Sequence, residues 1–425
     1  MTNRRVDVLV VGAGSAGSSA AISAARMGAR VMLIDRLPFL GGTSTAVLDT
    51  FYAFYTPGAR PRRVVGGIGW EVVQRLTEQG MAFERPNTYG AGTGVTYDPE
   101  VLKVLWEQLA EDARVDVLLH PWATGVHQRD GQTTGIRIWN KGGESIVDAA
   151  VIVDASGDAD PCAMAGVPYE GAGSTPNLQS LSTIFRLANV DVERASMLPK
   201  TELWAKMREA AASGEYHLPR LEGSWHRTPH PGVITVHMTR IPNVDATDPE
   251  QLTHAEIEGR RQVREYHRFL RDRVEGFEQS VLVATSPAIG VRESRRVIGD
   301  YRLTRDDVLR ARRFEDEIAL CGAPIEDHAA GPDTRWTYVR EGGVYGIPYR
   351  CLLPAGIEGM LVAGRCFSAT HDAHASARSM ATCMAMGQAA GTAAALAASA
   401  GTAPRQVSSA ILRRRLLECR AVLEG

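Results

Sequence analysis

The chain has 425 residues, a length that predicts two domains or one large domain with an inserted module. Its hydrophobic content of 44% and charged content of 23% are ordinary for a soluble globular enzyme. The net charge of −2 gives no overall field that would attract nucleic acid or an anionic membrane.

We expect neither a targeting segment nor a membrane span. The early apolar run is short and leads directly into a glycine-rich turn, and the alanine-rich stretch 386–400 lacks the bulk of a span. The six cysteines are scattered without a C-x-x-C pair, so neither a zinc site nor a disulfide framework is indicated. The composition therefore predicts a reduced cytoplasmic protein without a bound metal.

The first predicted unit, within residues 6–35, is a strand, a glycine-rich turn, a helix and a second strand. Gly12 permits the tight turn, Gly14 leaves room for a pyrophosphate, and Gly17 lets the helix pack closely on the sheet. The helix N-terminus offers free N–H groups to phosphates. Asp35 ends the second strand, where a carboxylate can accept hydrogen bonds from ribose hydroxyls. This unit predicts a dinucleotide site.

The elements that follow complete a first domain. A glycine pair and three hydroxyl side chains at residues 41–45 would let backbone approach a ligand. Helices are predicted at residues 71–79 and 101–112, and a small antiparallel meander at residues 126–128, 135–139 and 145–147. Residues 151–154 return as a central strand.

The character of the chain changes at about Gly166. Strands are predicted at residues 181–187 and 233–238, a long amphipathic helix at residues 251–274, and a capped helix from Thr304. The segment 196–230 is predicted to be irregular, and its histidines (His217, His226 and His230) to border the active site. Glycine-rich, apolar sequence resumes near Tyr345 and ends in a polar helical tail.

Two later segments favour FAD over NAD as the dinucleotide. Residues 154–160 end a strand with small side chains, which suits a chain that passes under a bound dinucleotide. Residues 361–368 form a strand that turns into a loop, and a helix is predicted from 376 to 397. The N-terminus of that helix would face a ligand that collects negative charge, as a reduced flavin does.

With these motifs the chain resembles the FAD-dependent oxidoreductases of the glutathione-reductase-like superfamily, in particular the bacterial FAD-dependent oxidoreductase family. The matching stretches are VVGAGSAG with LID, LGGTST, DASGDADPCAMAGVPYE, GVRESRRVIGDYRLTRDDV, YGIPYRCLLP and LVAGRCFSATHDAHASARSMATCMAMGQAAG. They cover almost the whole chain in the same order. The resemblance implies the fold and the FAD cofactor and leaves the substrate open.

The fold class expected is α/β. A Rossmann-like FAD-binding domain, with a parallel sheet and a β-meander, would comprise residues 1–165 and 345–425, the latter ending in the helical tail. An α+β substrate domain, residues 166–344, would be inserted between these two parts.

The resemblance also implies a set of FAD-binding residues. From the first two motifs these are Gly12, Gly14, Ser15, Ala16, Gly17, Asp35, Arg36, Gly41, Gly42, Thr43 and Ser44. From the later motifs they are Ser156, Gly157, Asp158, Gly364, Arg365, Ser376, Ala377 and Arg378. The first glycines would hold the pyrophosphate and Asp35 the adenosine ribose, whereas the last group would meet the ribityl chain and the pyrimidine ring.

Histidines are the first candidates for proton transfer, because a flavin takes the hydride and the protein supplies orientation and a base. His371 and His374 flank Asp372 in a predicted loop before the flavin helix, and imidazole titrates near neutral pH. They could equally cap that helix. His328 is the next candidate, with an inter-domain hydrogen bond as its alternative role.

Tyr349 and Arg350 are further catalytic candidates, because they lie where the chain re-enters the FAD domain. Arg350 could anchor a substrate carboxylate or form a structural salt bridge. The arginines at 292, 295 and 296 are expected to be structural partners of Glu293 and Asp300, with one of them within reach of the cavity. Cys366 and His371 are the only expected attachment points for a covalent flavin, and noncovalent FAD is the expectation.

We therefore expect an FAD-dependent enzyme that oxidises or desaturates a small organic molecule by hydride transfer to flavin N5. Oxygen or a partner acceptor would reoxidise the flavin, and the oligomeric state stays open, a homo-oligomer included. The first alternative is a monooxygenase driven by NAD(P)H, although no second dinucleotide motif is present. The second is a flavin-containing RNA-modification or assembly factor, against which the neutral charge argues.

Overall fold

The computed structural model describes residues 4–87, 90–171, 178–328, 331 and 333–424. The strands in this part of the chain are β1 Arg4–Val11, β2 Val31–Asp35, β3 Thr50–Phe51, β4 Ala82–Asn87, β5 Gly92–Tyr97, β6 Asp116–Leu119, β7 Trp122–Arg129, β8 Gln132–Asn140, β9 Gly143–Asp154, β10 Tyr169–Glu170, β11 Phe185–Ala188, β12 Ser224–Arg227, β13 Ile234–His237, β14 Val281–Thr285, β15 Arg296–Val297, β16 Glu317–Cys321, β17 Ile325–Asp327, β18 Arg335–Thr337, β19 Tyr345–Pro348 and β20 Met360–Val362.

The α-helices of the same part are α1 Ser15–Arg26, α2 Thr43–Ala46, α3 Gly67–Glu78, α4 Pro99–Asp112, α5 Asp160–Met164, α6 Val192–Ser196, α7 Lys200–Ala212, α8 Pro249–Arg273, α9 Arg305–Leu309, α10 His371–Ala377, α11 Met380–Ala400 and α12 Ser409–Glu418. Short 3-10 helices are formed by Arg340–Gly342, Tyr349–Leu352 and Pro404–Gln406. Within the described ranges, none of the helices has both the length and the apolar character that crossing a bilayer requires.

A mixed sheet with strand order β6-β2-β1-β9-β8-β7 forms the centre of the fold, and β20 pairs with β9. The pairs β6–β2, β2–β1, β1–β9 and β9–β20 are parallel, whereas β7 and β8 are added antiparallel. The inner strands are apolar runs because helices cover the sheet. This architecture confirms the predicted α/β fold class with a parallel sheet and a β-meander.

The strand β9 differs from its prediction. We expected a third meander strand and a separate central strand, but the 12 residues of Gly143–Asp154 form one continuous strand. Its first half pairs with β8, its second half pairs with β20, and β1 runs along the other edge. One strand therefore joins the meander to the parallel part of the sheet.

The helices α1 and α11 pack against each other over the sheet. A Cβ atom on Gly387 or Gly391 would lie 2.0 Å from the carbonyl oxygen of Ala16 or Ala20, so only glycine permits this approach. The predicted close packing of the two helices is confirmed. The predicted start at residue 376 is wrong, because extended backbone at Ser379 separates α10 from α11. The segment 371–374, which was expected to be a loop, belongs to the helix α10.

A second sheet, of order β12-β13-β11-β14, lies with α7 and α8 around its own hydrophobic core. The long amphipathic helix is confirmed as α8, which Asp248 caps and which buries Val263, Tyr266 and Leu270. The irregular structure predicted for residues 196–230 is wrong, because that segment contains α7 and β12. The main core draws on residues 8–167 and 297–423, and the second core on residues 185–277. The domain boundaries at 166 and 345 stay a prediction.

Candidate active site

A cleft lies at the carboxyl ends of the parallel strands, where ligands bind in sheets of this kind. It encloses about 1620 Å³ between its walls, its open mouth included. One part of its lining is formed by the β1–α1 turn and the end of β2, and another by the loop after β9 and the start of α11. A further part, called here the charged end, contains Tyr52, His237, Arg292, Glu326 and Arg378.

The three glycines of the first turn have different surroundings. Gly12 has φ +97°, and a Cβ atom there would lie 2.4 Å from the carbonyl oxygen of Ala155. A Cβ atom on Gly17 would lie 1.7 Å from the carbonyl oxygen of Gly12. Both positions are therefore fixed by protein packing. A Cβ atom on Gly14 would meet no protein atom within 4 Å, because that position faces the cleft.

Two uncapped helix N-termini face the cleft. The helix α1 begins after Gly14 with no side-chain cap, and the buried hydroxyl oxygen of Ser15 has no hydrogen-bond partner. The helix α11 follows Ser379, also without a side-chain cap, and both Ser379 and Met380 line the cleft. Free backbone N–H groups and the positive ends of two helix dipoles make this region suited to anionic groups.

Asp35 lies at the end of β2 as the sequence predicted. Its Oδ2 atom accepts a hydrogen bond from the backbone N–H of Ala13 at 2.5 Å, and its Oδ1 atom accepts one from Leu37 at 2.7 Å. Burial raises the pKa of this carboxyl, and the two backbone donors oppose that shift. Each carboxylate oxygen keeps a second lone pair for a hydroxyl. Arg36 lines the cleft beside it.

The loop after β9 is tied to the segment after β20 by an ion pair. Arg365 Nη2 lies 2.7 Å from Asp158 Oδ1, and the Ser294 hydroxyl donates to the same oxygen at 2.6 Å. Burial alone would raise the pKa of Asp158, but the charge of Arg365 lowers it. Ser156, Gly157, Asp158, Gly364 and Arg365 all line the cleft, so these five expected residues lie together.

Other residues of the expected set lie behind the cleft wall. Ser44 is fully buried and donates its hydroxyl to the carbonyl oxygen of Gly41. Ser376 is buried and donates to the carbonyl oxygen of Ala323. Gly17, Gly41, Ser44, Ser376 and Ala377 are absent from the described cleft lining, whereas Gly42, Thr43 and Arg378 belong to it. Because α11 starts at Met380, the residues at its N-terminus are Ser379 and Met380 instead of Ser376 and Ala377.

Arg292 faces the cleft, although the role predicted for it was mainly structural. Its Nη1 atom donates to the carbonyl oxygen of Ser180 at 2.6 Å and to the hydroxyl of Ser182 at 2.8 Å. Burial and the charge of Arg378 lower the pKa of Arg292 to about 9. Of the acids expected to pair with this group of arginines, Glu293 pairs with Arg296 as predicted, whereas Asp300 pairs with Arg405.

A carboxylate and a second guanidinium complete this end of the cleft. The Glu326 Oε1 atom lies 2.9 Å from the Nε2 atom of His328. Burial alone would raise the pKa of Glu326, but His328 and the two arginines lower it to about 2. Burial lowers the pKa of His328, so its ring is neutral. The buried Nε atom of Arg378 has no hydrogen-bond partner.

The other predicted histidines are held by protein contacts. His371 Nδ1 lies 2.9 Å from the Glu293 carboxylate, and His374 Nε2 lies 2.7 Å from the carbonyl oxygen of Arg365. His374 is fully buried, and burial lowers its pKa to about 3. Neither His371, His374 nor His328 belongs to the described lining of the cleft. The prediction that these two histidines lie in a loop before the flavin helix is wrong, because both residues lie within α10.

Tyr349 and Arg350 lie away from the cleft. The Tyr349 hydroxyl is buried and donates to the carbonyl oxygen of Pro404 at 2.9 Å. Arg350 pairs with Asp316 at 2.9 Å on the surface. The strand β19 pairs with β16, and both residues lie in the 3-10 helix Tyr349–Leu352 that follows β19. The structural salt bridge that we considered for Arg350 is the one observed.

Cys366 does not belong to the described lining of the cleft. Its side chain is fully buried, and its thiol lies 3.6 Å from the carbonyl oxygen of Asp154 and 3.7 Å from that of Ala363. Burial raises the pKa of this thiol. A buried thiol that keeps its proton is a poor nucleophile.

Sequence reasoning missed one group of residues at the cleft. His237 lines it, and His226 and Asp49 lie behind His237. The only hint was the expectation that histidines of the segment 217–230 border the site. His217 instead lines a separate cavity next to α8, and the third of these histidines, His230, pairs with Asp98.

The sequence pattern of the family described as FAD dependent oxidoreductase matches residues 7–416. The chain belongs to this family. The cofactor is therefore FAD, and the oxidoreductase class inferred from the glycine motifs is confirmed. The residues present fit it, because the cleft combines an open Gly14 position, two uncapped helix N-termini and an unpartnered Ser15 hydroxyl.

Relatives of this FAD-dependent oxidoreductase are distant. A vinyl phenol reductase from Lactiplantibacillus plantarum is 28% identical over 184 residues, which are 36% of this chain and 37% of that protein. A fumarate reductase (cytochrome) from Shewanella frigidimarina is 42% identical over 59 residues, 14% of this chain and 10% of that protein. The matches thus span well under half the length of these relatives.

A solved structure shares the fold over nearly the whole chain. The p-nitrophenol 4-monooxygenase from Pseudomonas putida aligns with a TM-score of 0.51 at 11% identity, covering 98% of this chain and 85% of that one. At this identity the likeness concerns the fold alone.

Proposed function

We propose that this FAD-dependent oxidoreductase oxidises or desaturates a small organic anion by transferring a hydride between the substrate and flavin N5. The observation that carries the proposal is the pair Arg292 and Arg378, which line the cleft together with Glu326. Two guanidinium groups and one ionised carboxylate leave the charged end with a surplus positive charge.

We propose that the expected cofactor set divides into two roles. Residues of the cleft wall would contact FAD: the N–H groups at Gly14 and Ser15 the pyrophosphate, Asp35 the adenosine ribose, and the start of α11 the flavin. Gly17, Gly41, Ser44, Ser376 and Ala377 would support that wall from behind. When bound, FAD supplies the ring that exchanges the hydride.

The arginine pair would bind a carboxylate of the substrate. A guanidinium presents several donors in one plane and matches a carboxylate with two parallel hydrogen bonds. Burial and the repulsion from Arg378 lower the pKa of Arg292. A bound anion would offset this repulsion and stabilise the protonated guanidinium. The unpartnered Nε atom of Arg378 adds a donor that the protein itself does not use.

Glu326 would accept or return the proton that accompanies the hydride. Its carboxylate lines the cleft, and the neutral ring of His328 holds it at 2.9 Å. A substrate carboxylate between Arg292 and Arg378 would offset their positive charge and thereby raise the pKa of Glu326. The carboxylate would then become a better proton acceptor only once substrate is bound. In this assignment His328 positions Glu326.

The experiment that tests the proposal also determines whether the hydride moves from substrate to flavin or from flavin to substrate. Two relatives are named as reductases, one of vinyl phenol and one of fumarate, a carboxylate. A reductase returns a hydride to a double bond, which is the reverse of desaturation. The same cleft geometry serves both directions.

The experiment is anaerobic mixing of the FAD-loaded protein without nicotinamide nucleotides. Oxidised protein is offered saturated, hydroxy and amino carboxylic acids, and reduced protein is offered unsaturated and keto acids, while the flavin absorbance is followed. Amides of the same molecules are the matched controls. Bleaching or recolouring by an acid but not by its amide supports the proposal. Bleaching by NADH or NADPH alone contradicts it and favours the monooxygenase alternative.

A further inference from the structure

Three side chains that can bind a metal ion meet beside the cleft. Asp49 precedes β3, His226 lies on β12, and His237 ends β13. The register of these two strands places His226 opposite Thr235, so His226 and His237 are diagonal neighbours on one face. Asp49 lies over that face and accepts a hydrogen bond from Thr235 at 2.5 Å.

The distances among these groups suit a single metal ion. Asp49 Oδ1 lies 2.8 Å from His226 Nε2 and 3.8 Å from His237 Nε2, and one ligand atom from each residue lies within 4.8 Å of the others. With metal–ligand bonds of about 2.1 Å, two ligands of one ion are about 3.0–3.4 Å apart. The two separations from Asp49 bracket this range, and the ligand atoms of the two histidines lie within 4.8 Å of each other, so modest side-chain movements would bring all three residues onto one ion.

The cluster has one unsatisfied atom. The Nε2 atom of His237 is buried and has no hydrogen-bond partner among the described residues, because 3.8 Å to the Asp49 carboxylate is too long. A buried polar atom without a partner is costly. A cation between the ring and the carboxylate would satisfy this nitrogen.

The charge of the cluster also favours a cation. The Asp49 side chain is 1% exposed, and in the described part of the chain only histidines lie within ion-pair distance of it. A buried carboxylate with no Lys or Arg at ion-pair distance among the described residues favours a bound cation.

We propose that Asp49, His226 and His237 bind one divalent transition-metal ion at the wall of the FAD cleft. Two imidazoles and one carboxylate are a common ligand set for Zn²⁺ and for non-haem Fe²⁺, and both ions keep positions for other ligands. Since His237 lines the cleft, the bound metal would lie next to the substrate space and could take a substrate oxygen as a further ligand. This inference goes beyond the proposed hydride transfer and does not depend on it.

The test uses the FAD-loaded protein with any purification tag removed. Metal content is measured as purified, and Zn²⁺ binding is then titrated calorimetrically after chelator treatment. We expect about one Zn²⁺ per chain. His237→Gln is the decisive variant, because the Nε2 atom of His237 has no hydrogen bond to lose. We expect this substitution to weaken Zn²⁺ binding at least about tenfold while the flavin spectrum stays unchanged.

The matched control is His230→Gln. His230 also contacts a carboxylate, that of Asp98, but no second histidine joins them, so Zn²⁺ affinity should not change. Asp49→Asn is a second test, with thermal unfolding recorded to establish that the variant folds. No stoichiometric Zn²⁺ binding by the wild-type protein, or equal affinity in wild type and His237→Gln, would overturn the proposal. Neither result would bear on hydride transfer, which is measured separately.

Discussion

The Nδ1 atom of His371 lies 2.9 Å from a carboxylate oxygen of Glu293, a side chain with no exposed surface. The same carboxylate also accepts from Arg296 Nε at 2.9 Å. The hydrogen bond with Glu293 raises the pKa of His371. Burial alone would raise the pKa of Glu293, but its contacts with His371 and other cations lower it to about 2. The contact ties the start of α10 to the segment that precedes β15.

This pair predicts a pH-dependent contribution to stability. Because the pKa of His371 is raised in the folded protein, its contribution is complete below the unfolded value of about 6.5 and is lost as pH rises through the folded pKa. His371→Gln should lower the free energy of unfolding by about 1.5–3 kcal/mol at acidic pH and by less at alkaline pH. Denaturant unfolding across pH 5–9 measures this, with His254→Gln on the exposed face of α8 as control. A difference that does not vary with pH would contradict the assignment.

Gly14→Val should abolish FAD retention without unfolding the protein. Gly14 has φ −64°, which valine tolerates, and a Cβ atom there meets no protein atom within 4 Å. The side chain would instead fill the space proposed for the pyrophosphate. Flavin absorbance per chain and far-ultraviolet circular dichroism are the measurements. Gly142→Val, in an exposed turn, should keep full FAD; full occupancy in Gly14→Val would refute the proposed role of this turn.

The dinucleotide site could be predicted from the sequence because its signal is local. The residues of the first glycine turn and Asp35 lie within one β-α-β unit, whose geometry follows from glycine sterics and helix dipoles. The break between α10 and α11 at Ser379 could not be predicted from the sequence, since small residues occur on both sides of it. The predicted helix start was therefore several residues early.

The substrate end depends on contacts that no local pattern encodes. His237 and Asp49 are 188 positions apart, and they meet only because β13 is placed beside the loop before β3. Arg292 was predicted to share a mainly structural role with the neighbouring arginines, although its side chain lines the cleft. Arg350 was favoured because it lies where the chain re-enters the predicted FAD domain, but its side chain pairs with Asp316 at the surface.

Arg292→Met should weaken the binding of a substrate carboxylate. Loss of charge-assisted hydrogen bonds costs about 1.5–3 kcal/mol, equivalent to a roughly 10–150-fold rise in Kd. The concentration dependence of anaerobic flavin reduction gives this value. Arg350→Met removes an arginine that pairs with Asp316 on the surface, and we expect no change in Kd. Equal effects of the two substitutions would exclude Arg292 from the binding site.

Glu326→Gln should slow flavin reduction and leave substrate binding nearly unchanged. An amide of the same shape cannot take up the proton, and loss of a general base costs about 10²–10⁴-fold in rate. Stopped-flow absorbance under anaerobic conditions separates the rate from Kd. Glu341→Gln, at an exposed residue next to Arg340, is the control. An unchanged rate in Glu326→Gln would assign proton transfer to another group.

The most direct test of the central claim, noncovalent FAD in this cleft, is the visible spectrum of the purified protein and of its supernatant after acid precipitation. Cys366 and His371, the residues considered for covalent attachment, both lie outside the described cleft lining. We therefore predict flavin bands in the purified protein that move entirely into the supernatant. Yellow colour that stays with the precipitate would contradict noncovalent binding, and a colourless protein that FAD does not reconstitute would contradict the account as a whole.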